Sequence, residues 1–135
     1  DYFAHWLSFD TAEATQPTPA LPKIFHVNWF RKGDDGKFLW PGFGDNLRVL
    51  EWMIARVKGE ADATQTPIGA LPRAEDVNLD GLSLSDEAHA KLFGFDAAAW
   101  REEFVGIGEY LDEYGPRMPA ALKAEQARIL AELGG

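Results

Sequence analysis

The chain has 135 residues, 46% of them apolar and 26% charged, with a formal charge of -9 and no cysteine. This length suits one compact domain that buries about two-thirds of its unfolded surface, and the negative charge argues against a nucleic acid or an anionic membrane as partner. The absence of thiols excludes disulfides, thiolate metal sites and a cysteine nucleophile from this chain, and no apolar run approaches the roughly 18 residues of a membrane span.

Residues 1–9 place Phe3, Trp6 and Leu7 at spacings of three and four, with Phe9 nearby, and predict a short amphipathic helix. Asp1 opens directly on this pattern, so a longer parent polypeptide is expected. Residues 10–22 lack periodicity, and Pro17, Pro19 and Pro22 make them a connector. Residues 23–31 are β-branched and aromatic and predict a strand with Phe25, Val27 and Trp29 on one face. Gly33-Asp34-Asp35-Gly36 is a hairpin turn signal, and residues 37–40 form the return strand, stopped by Pro41. With a three-residue loop and Gly36 left-handed, Gly33 pairs with Lys37, and Phe30, Phe38 and Trp40 share one side; a two-residue loop puts Phe30 on the side opposite to Phe38.

A helix is predicted over 47–58, where Leu50, Met53, Ile54 and Val57 form an apolar stripe. Asp45 or Asn46 caps its start, Arg56 and Lys58 complement its last turn, and Gly59 ends it. Residues 60–84 are broken by Pro67, Gly69, Pro72 and Gly81 and read as a long loop with a short extended piece at 68–71. Three helices follow. The first starts at Ser85 and ends at Gly94; the second is capped by Asp96, with Trp100, Phe104, Ile107 and Leu111 in one stripe; the third covers 119–133. The predicted class is mixed α/β of the α+β kind: an aromatic hairpin and loop over 23–59 with its backing helix, a loop over 60–84, and a helical tail over 85–135, preceded by the helix and connector of 1–22.

His5, His26 and His89 lack metal-site spacing, no G-x-S-x-G occurs, and Ser8, Ser83 and Ser85 sit in loop or cap contexts. No catalytic or metal-ligating residue is therefore assigned. Gly42-Phe43-Gly44-Asp45-Asn46 resembles half a phosphate loop, but the third glycine of G-x-G-x-x-G falls at Leu47 and no Gly-Lys-Ser/Thr follows. What the two glycines allow is a tight loop that exposes Phe43.

The 17 aromatic residues (five Trp, three Tyr, nine Phe) are distributed unevenly. Tyr2, Phe3, Trp6, Phe9, Phe25, Trp29, Phe30, Phe38, Trp40, Phe43 and Trp52 all fall in the first 52 positions. Charge is skewed the other way, with eight basic and fifteen acidic residues beyond Trp52. Phe30, Phe38 and Phe43, converging from a hairpin and its loop with Asn46 at their edge, suit a flat heteroaromatic ring, since stacking contributes roughly 1–3 kcal/mol per base and an amide reads a polar edge. Two other readings of the same rings are the core of a small domain and the platform of a non-enzymatic module binding carbohydrate or protein.

The runs Phe25-His26-Val27-Asn28-Trp29-Phe30-Arg31-Lys32, Gly36-Lys37-Phe38-Leu39-Trp40-Pro41-Gly42-Phe43-Gly44-Asp45-Asn46 and Arg48-Val49-Leu50-Glu51-Trp52-Met53 closely resemble the carboxy-terminal part of GTP-dependent phosphoenolpyruvate carboxykinase. Thr66-Pro67-Ile68-Gly69 and His5-Trp6-Leu7 fit the same family. The resemblance is nearly gapless over 23–72 and weaker after Gly81. Asp45 departs from the glutamate usual there, and Leu47 from a small polar residue.

The resemblance implies an enzyme that interconverts oxaloacetate and GTP with phosphoenolpyruvate, carbon dioxide and GDP in gluconeogenesis, monomeric and cytoplasmic, and using Mn2+ together with Mg2+ on the nucleotide. It implies that Phe30, Phe38 and Phe43 hold the guanine base and that Asn46 helps read it. The family's phosphate loop, reactive cysteine, manganese ligands and substrate arginines lie upstream of the matched part. This chain is accordingly expected to be a carboxy-terminal portion, catalytically inert alone, whose partners are a guanine nucleotide and the remainder of the same polypeptide.

Overall fold

A computed structural model describes residues 2–9 and 21–134. The elements in chain order are α1 (Tyr2–Leu7), α2 (Asn46–Lys58), β1 (Thr64–Thr66), β2 (Gly69–Leu71), α3 (Asp86–Phe93), α4 (Ala97–Asp112) and α5 (Ala120–Glu132), with short 3-10 turns at Phe43–Asp45, Ala74–Asp76 and Gly115–Arg117. The fold is mixed α/β, and the sheet among the described residues is an antiparallel pair of strands. Most of the connector predicted over 10–22 lies outside the described residues. Two compact units result, one from residues 24–95 and the other from residues of 1–23 and 96–135.

In the 24–95 unit the chain runs extended toward the hairpin, and Phe25, Val27 and Trp29 are half-buried while their neighbours are exposed, which is the alternation expected of them. The predicted strands 23–31 and 37–40 do not form, however; pairing there is confined to one bridge, Lys32 with Phe38. The chain bends at Leu39 and Trp40, both buried, just before Pro41, which has no N–H to continue the pairing, and this stops the ladder. Asn28 Oδ1 accepts the Phe30 N–H at 3.0 Å, satisfying a donor that in this register points away from residues 37–40.

The turn itself is the three-residue version. The Gly33 N–H donates to the Lys37 carbonyl at 2.9 Å, the Gly36 N–H to the Gly33 carbonyl at 3.0 Å and the Leu39 N–H to the Arg31 carbonyl at 2.9 Å. Gly36 has φ 75°, the left-handed conformation such a loop needs at its last position.

Helix α2 begins and ends where expected, closing on Gly59 at φ 79°, but buries a different face. Trp52 is buried edge-on against Phe25, with centroids 6.0 Å apart, and Val49, Met53 and Arg56 are half-buried. Of the predicted stripe only Met53 faces inward; Leu50, Ile54 and Val57 are exposed, as is Leu47. The helix thus carries two apolar faces, and the hairpin segment covers the one with the large indole, where burial gains most.

Residues 60–84 hold more structure than a loop. β1 and β2 pair with Thr66 opposite Gly69, leaving Pro67 and Ile68 as a two-residue turn. Arg73 gathers this region, its guanidinium lying 2.8 Å from Asp76, 3.4 Å from Asp62 and 3.7 Å from Glu75. Its pKa is raised, first by the Asp76 hydrogen bond. Val77 joins Leu39, Trp40 and Trp52 among the buried apolar residues of this unit. Helix α3 is capped by Ser85, whose Oγ accepts the Ala88 N–H at 3.1 Å. Lys91 bridges this helix to the hairpin tip, at 2.7 Å from Asp34 and 2.9 Å from Glu87.

In the other unit all described residues of α1 are exposed. Asp96 Oδ1 caps α4 by accepting the Ala98 and Ala99 N–H groups at 3.0 Å. The predicted stripe of Trp100, Phe104, Ile107 and Leu111 is half-buried, and α5 contributes the buried Ile129. Gln126 Nε2 donates to the Phe104 carbonyl at 2.9 Å, and a Cβ at Gly108 would stand 2.6 Å from that same nitrogen, so glycine there permits the close approach of α5.

Candidate functional site

The residues singled out from sequence lie within one stretch of the 24–95 unit, from the end of the extended segment through the hairpin to the first turn of α2. Phe30 and Phe38 come together edge to face, with centroids 5.9 Å apart and planes at 66°. The three-residue turn accounts for this, because Phe38 opposite Lys32 puts Phe30 on the same side one diagonal step away. Both rings remain open to solvent, 72% and 56% exposed. The Lys32 ammonium sits 5.6 Å from the centroid of Phe38, within cation-π range.

Trp40 departs from the expected arrangement. It was to share the side of Phe30 and Phe38; instead the bend at Leu39 turns it inward, where it is 7% exposed and lies 6.1 Å from Trp29. Its indole N–H donates to Asn46 Oδ1 at 2.9 Å. Sequence proximity hinted at this pair, but nothing in the pattern distinguished the indole that faces an amide from one that faces solvent.

Phe43 stands on the 3-10 turn between the glycines and is 92% exposed, with no aromatic neighbour among the described residues. Gly42 has φ 147° and ψ -174°, a backbone region essentially restricted to glycine. No heavy atom lies within 4 Å of a Cβ built there, so the position needs glycine for its conformation and not for space. Gly42→Ala is expected to destabilise the full-length protein by roughly 1–3 kcal/mol, read from urea unfolding.

Asp45 does not cap α2. Its carboxylate instead accepts from Arg48 Nε at 3.1 Å, and Arg48 also donates to the Asn78 carbonyl at 2.8 Å. The first turn of α2 is thereby tied to the 78 loop. Asn46 is half-buried, and among the described residues its Nδ2 has no protein partner. A shallow cavity of about 290 Å3 on the hairpin is lined by Gly33, Phe38 and Leu39 together with Ser83, Ser85 and Glu87 near the start of α3. Of the four candidate residues it includes only Phe38, so it is a separate feature.

His5, His26 and His89 are exposed and far apart in sequence, and among the described residues no group of three or more His, Cys, Asp or Glu is placed to hold a metal ion. No helix among them is long and apolar enough to cross a membrane.

Residues 1–132 match the family model described as the phosphoenolpyruvate carboxykinase C-terminal P-loop domain. The phosphoenolpyruvate carboxykinase [GTP] of Chlamydia pneumoniae is 50% identical over 133 residues, 98% of this chain and 22% of that protein. Its namesake from Chlamydia caviae is 47% identical over the same shares, and that of Paenarthrobacter aurescens 42% identical over 134 residues, 99% of this chain and 22% of its own length. This chain therefore spans about a fifth of the length of these relatives, and no G-x-x-x-x-G-K-[ST] occurs in it. With 132 of its residues matched to a single family model and half its positions identical to a relative, the chain belongs to the GTP-dependent phosphoenolpyruvate carboxykinase family, in that family's C-terminal P-loop domain.

Proposed function

We propose that this chain supplies the guanine-binding part of an enzyme that converts oxaloacetate and GTP to phosphoenolpyruvate, carbon dioxide and GDP, a cytoplasmic step of gluconeogenesis. Phe30, Phe38 and Phe43 take the faces and edge of the base, and Asn46 takes its polar rim. The observation that carries this reading is Phe43: a large apolar ring, 92% exposed, held out by a glycine in a conformation few other residues adopt, and following closely in sequence the exposed pair Phe30 and Phe38. Solvating such a ring gains nothing for the fold, whereas stacking on a base repays it. The tilt of 66° between Phe30 and Phe38 also departs from the coplanar row a sugar platform requires.

In this reaction the enolate left when oxaloacetate loses carbon dioxide takes the γ-phosphoryl group of GTP. Transfer of that group depends on position and on electrostatic stabilisation. This chain's contribution is positional, because holding the base fixes one end of the nucleotide and so limits where the other end lies. The described residues do not form a site for the Mn2+ or Mg2+ of the family. The ligands, the phosphate loop and the residues that hold the carboxylated substrate are assigned to the rest of the polypeptide, and this chain alone is inactive in our reading.

Trp29 and Trp40 lie close enough to the hairpin to report occupancy. Titrating the full-length protein with GDP, ADP and an oligosaccharide is expected to change tryptophan fluorescence saturably with GDP only. An equal response to ADP would remove the base assignment, and a response to the oligosaccharide would favour a binding module.

A further inference from the structure

We propose that Trp40 is a positioning residue for base selectivity, and that it acts by fixing which end of the Asn46 amide faces the nucleotide. An indole N–H is only a donor, so its partner must be an oxygen. Trp40 is 7% exposed, and the acceptor at 2.9 Å from Nε1 is Asn46 Oδ1. Turning the amide over would bring donor against donor and leave a nearly buried N–H unpaired, which is costly. The oxygen is thereby committed to the indole, and the Nδ2 hydrogens, without a protein partner among the described residues, are left to donate to a ligand.

This orientation has a chemical consequence for the ligand. Guanine carries an acceptor, O6, where adenine carries an amino donor, N6. An amide held with its NH2 toward the ligand pairs with O6 and meets N6 as donor against donor. An amide free to turn serves either base. Asn46 alone therefore does not select guanine; Asn46 locked by Trp40 does. The same hydrogen bond also explains why Trp40 leaves the side of Phe30 and Phe38, since an indole turned outward could not reach the amide.

This inference rests on the reading that Asn46 lies at the rim of the base, and the test separates the two. In the full-length protein, dissociation constants for GDP and ADP are measured for Asn46→Ala, Trp40→Phe and the double variant. Asn46→Ala is expected to lower the preference for GDP. Trp40→Phe, which keeps a ring against Trp29 but removes the donor, is expected to lower that preference by about tenfold, partly through a gain in ADP affinity. A structural defect would weaken both nucleotides and leave their ratio unchanged. The double variant is expected to match Asn46→Ala alone, because Trp40 acts through the amide. Should Trp40→Phe fail to fold, replacing Trp40 with 3-benzothienylalanine keeps the bicyclic shape and puts sulfur in place of N–H. If Asn46→Ala changes the ratio and neither Trp40 replacement does, or if the two effects simply add, the inference about Trp40 is overturned. If Asn46→Ala itself leaves the ratio unchanged, the placement of Asn46 at the base fails, and the inference fails with it.

Discussion

Phe43→Ala in the full-length protein is expected to weaken GTP binding by roughly 1–3 kcal/mol, about 5- to 150-fold, with almost no loss of stability. The two halves of this expectation come from one observation. A ring that is 92% exposed has few native contacts to lose, so the unfolding midpoint should stay within about 0.5 kcal/mol of the parent, as for ordinary surface positions. A ring that stacks on a base loses that contact entirely on truncation. Isothermal titration with GTP and urea unfolding on the same preparation measure both. Phe38→Ala should share the loss in affinity and leave metal affinity intact, but with an added cost in stability, because Phe38 also contacts Phe30 at 5.9 Å and lies under the Lys32 ammonium. Unchanged GTP affinity in both variants would sink the pocket.

The local arrangement of the candidate rings was legible because it depends on turn geometry. Gly36 needs the left-handed region, so a three-residue turn followed, and with it the shared side of Phe30 and Phe38. The exposure of Phe43 followed from two glycines around a single ring. Helix boundaries were likewise readable where a cap is chemical: Ser85 and Asp96 each accept the N–H groups that their positions predict. The pairing of β1 with β2 was missed although a signal stood in the chain, since Pro67 at the second position of a four-residue turn and Gly69 at its fourth favour a tight reversal.

What was not legible required knowing which competing interaction wins. Residues 23–31 have strand composition, yet the bend at Leu39 and Trp40, just before Pro41, removes the partner strand. Helix α2 offers two apolar stripes, and periodicity cannot say which one a neighbouring segment covers. Only the position of Phe25 against Trp52 decides it. Trp40 belongs with these cases, because its inward turn depends on an acceptor six residues away.

Trp52→Ala is expected to destabilise the protein by about 3–5 kcal/mol, the range for truncating a buried large aromatic. Trp52 is 5% exposed and joins α2 to the extended segment through Phe25, so its loss detaches the helix whose first residue is Asn46 from the hairpin that carries Phe30 and Phe38. Trp52→Phe should behave differently. Among the described residues the buried indole Nε1 has no hydrogen-bond partner, and a phenyl ring removes that unpaired donor while retaining an edge-on contact with Phe25. Relief of about 1–3 kcal/mol of donor desolvation offsets much of the volume lost, leaving Trp52→Phe within about 1 kcal/mol of the parent. Urea unfolding of the two variants checks this, and equal damage from both would mean that the indole N–H has a partner in the full-length protein. For Trp52→Ala the GTP affinity of the folded population should fall as well if the proposed site is right, because Asn46 and the rings of Phe30 and Phe38 are then no longer held to one another.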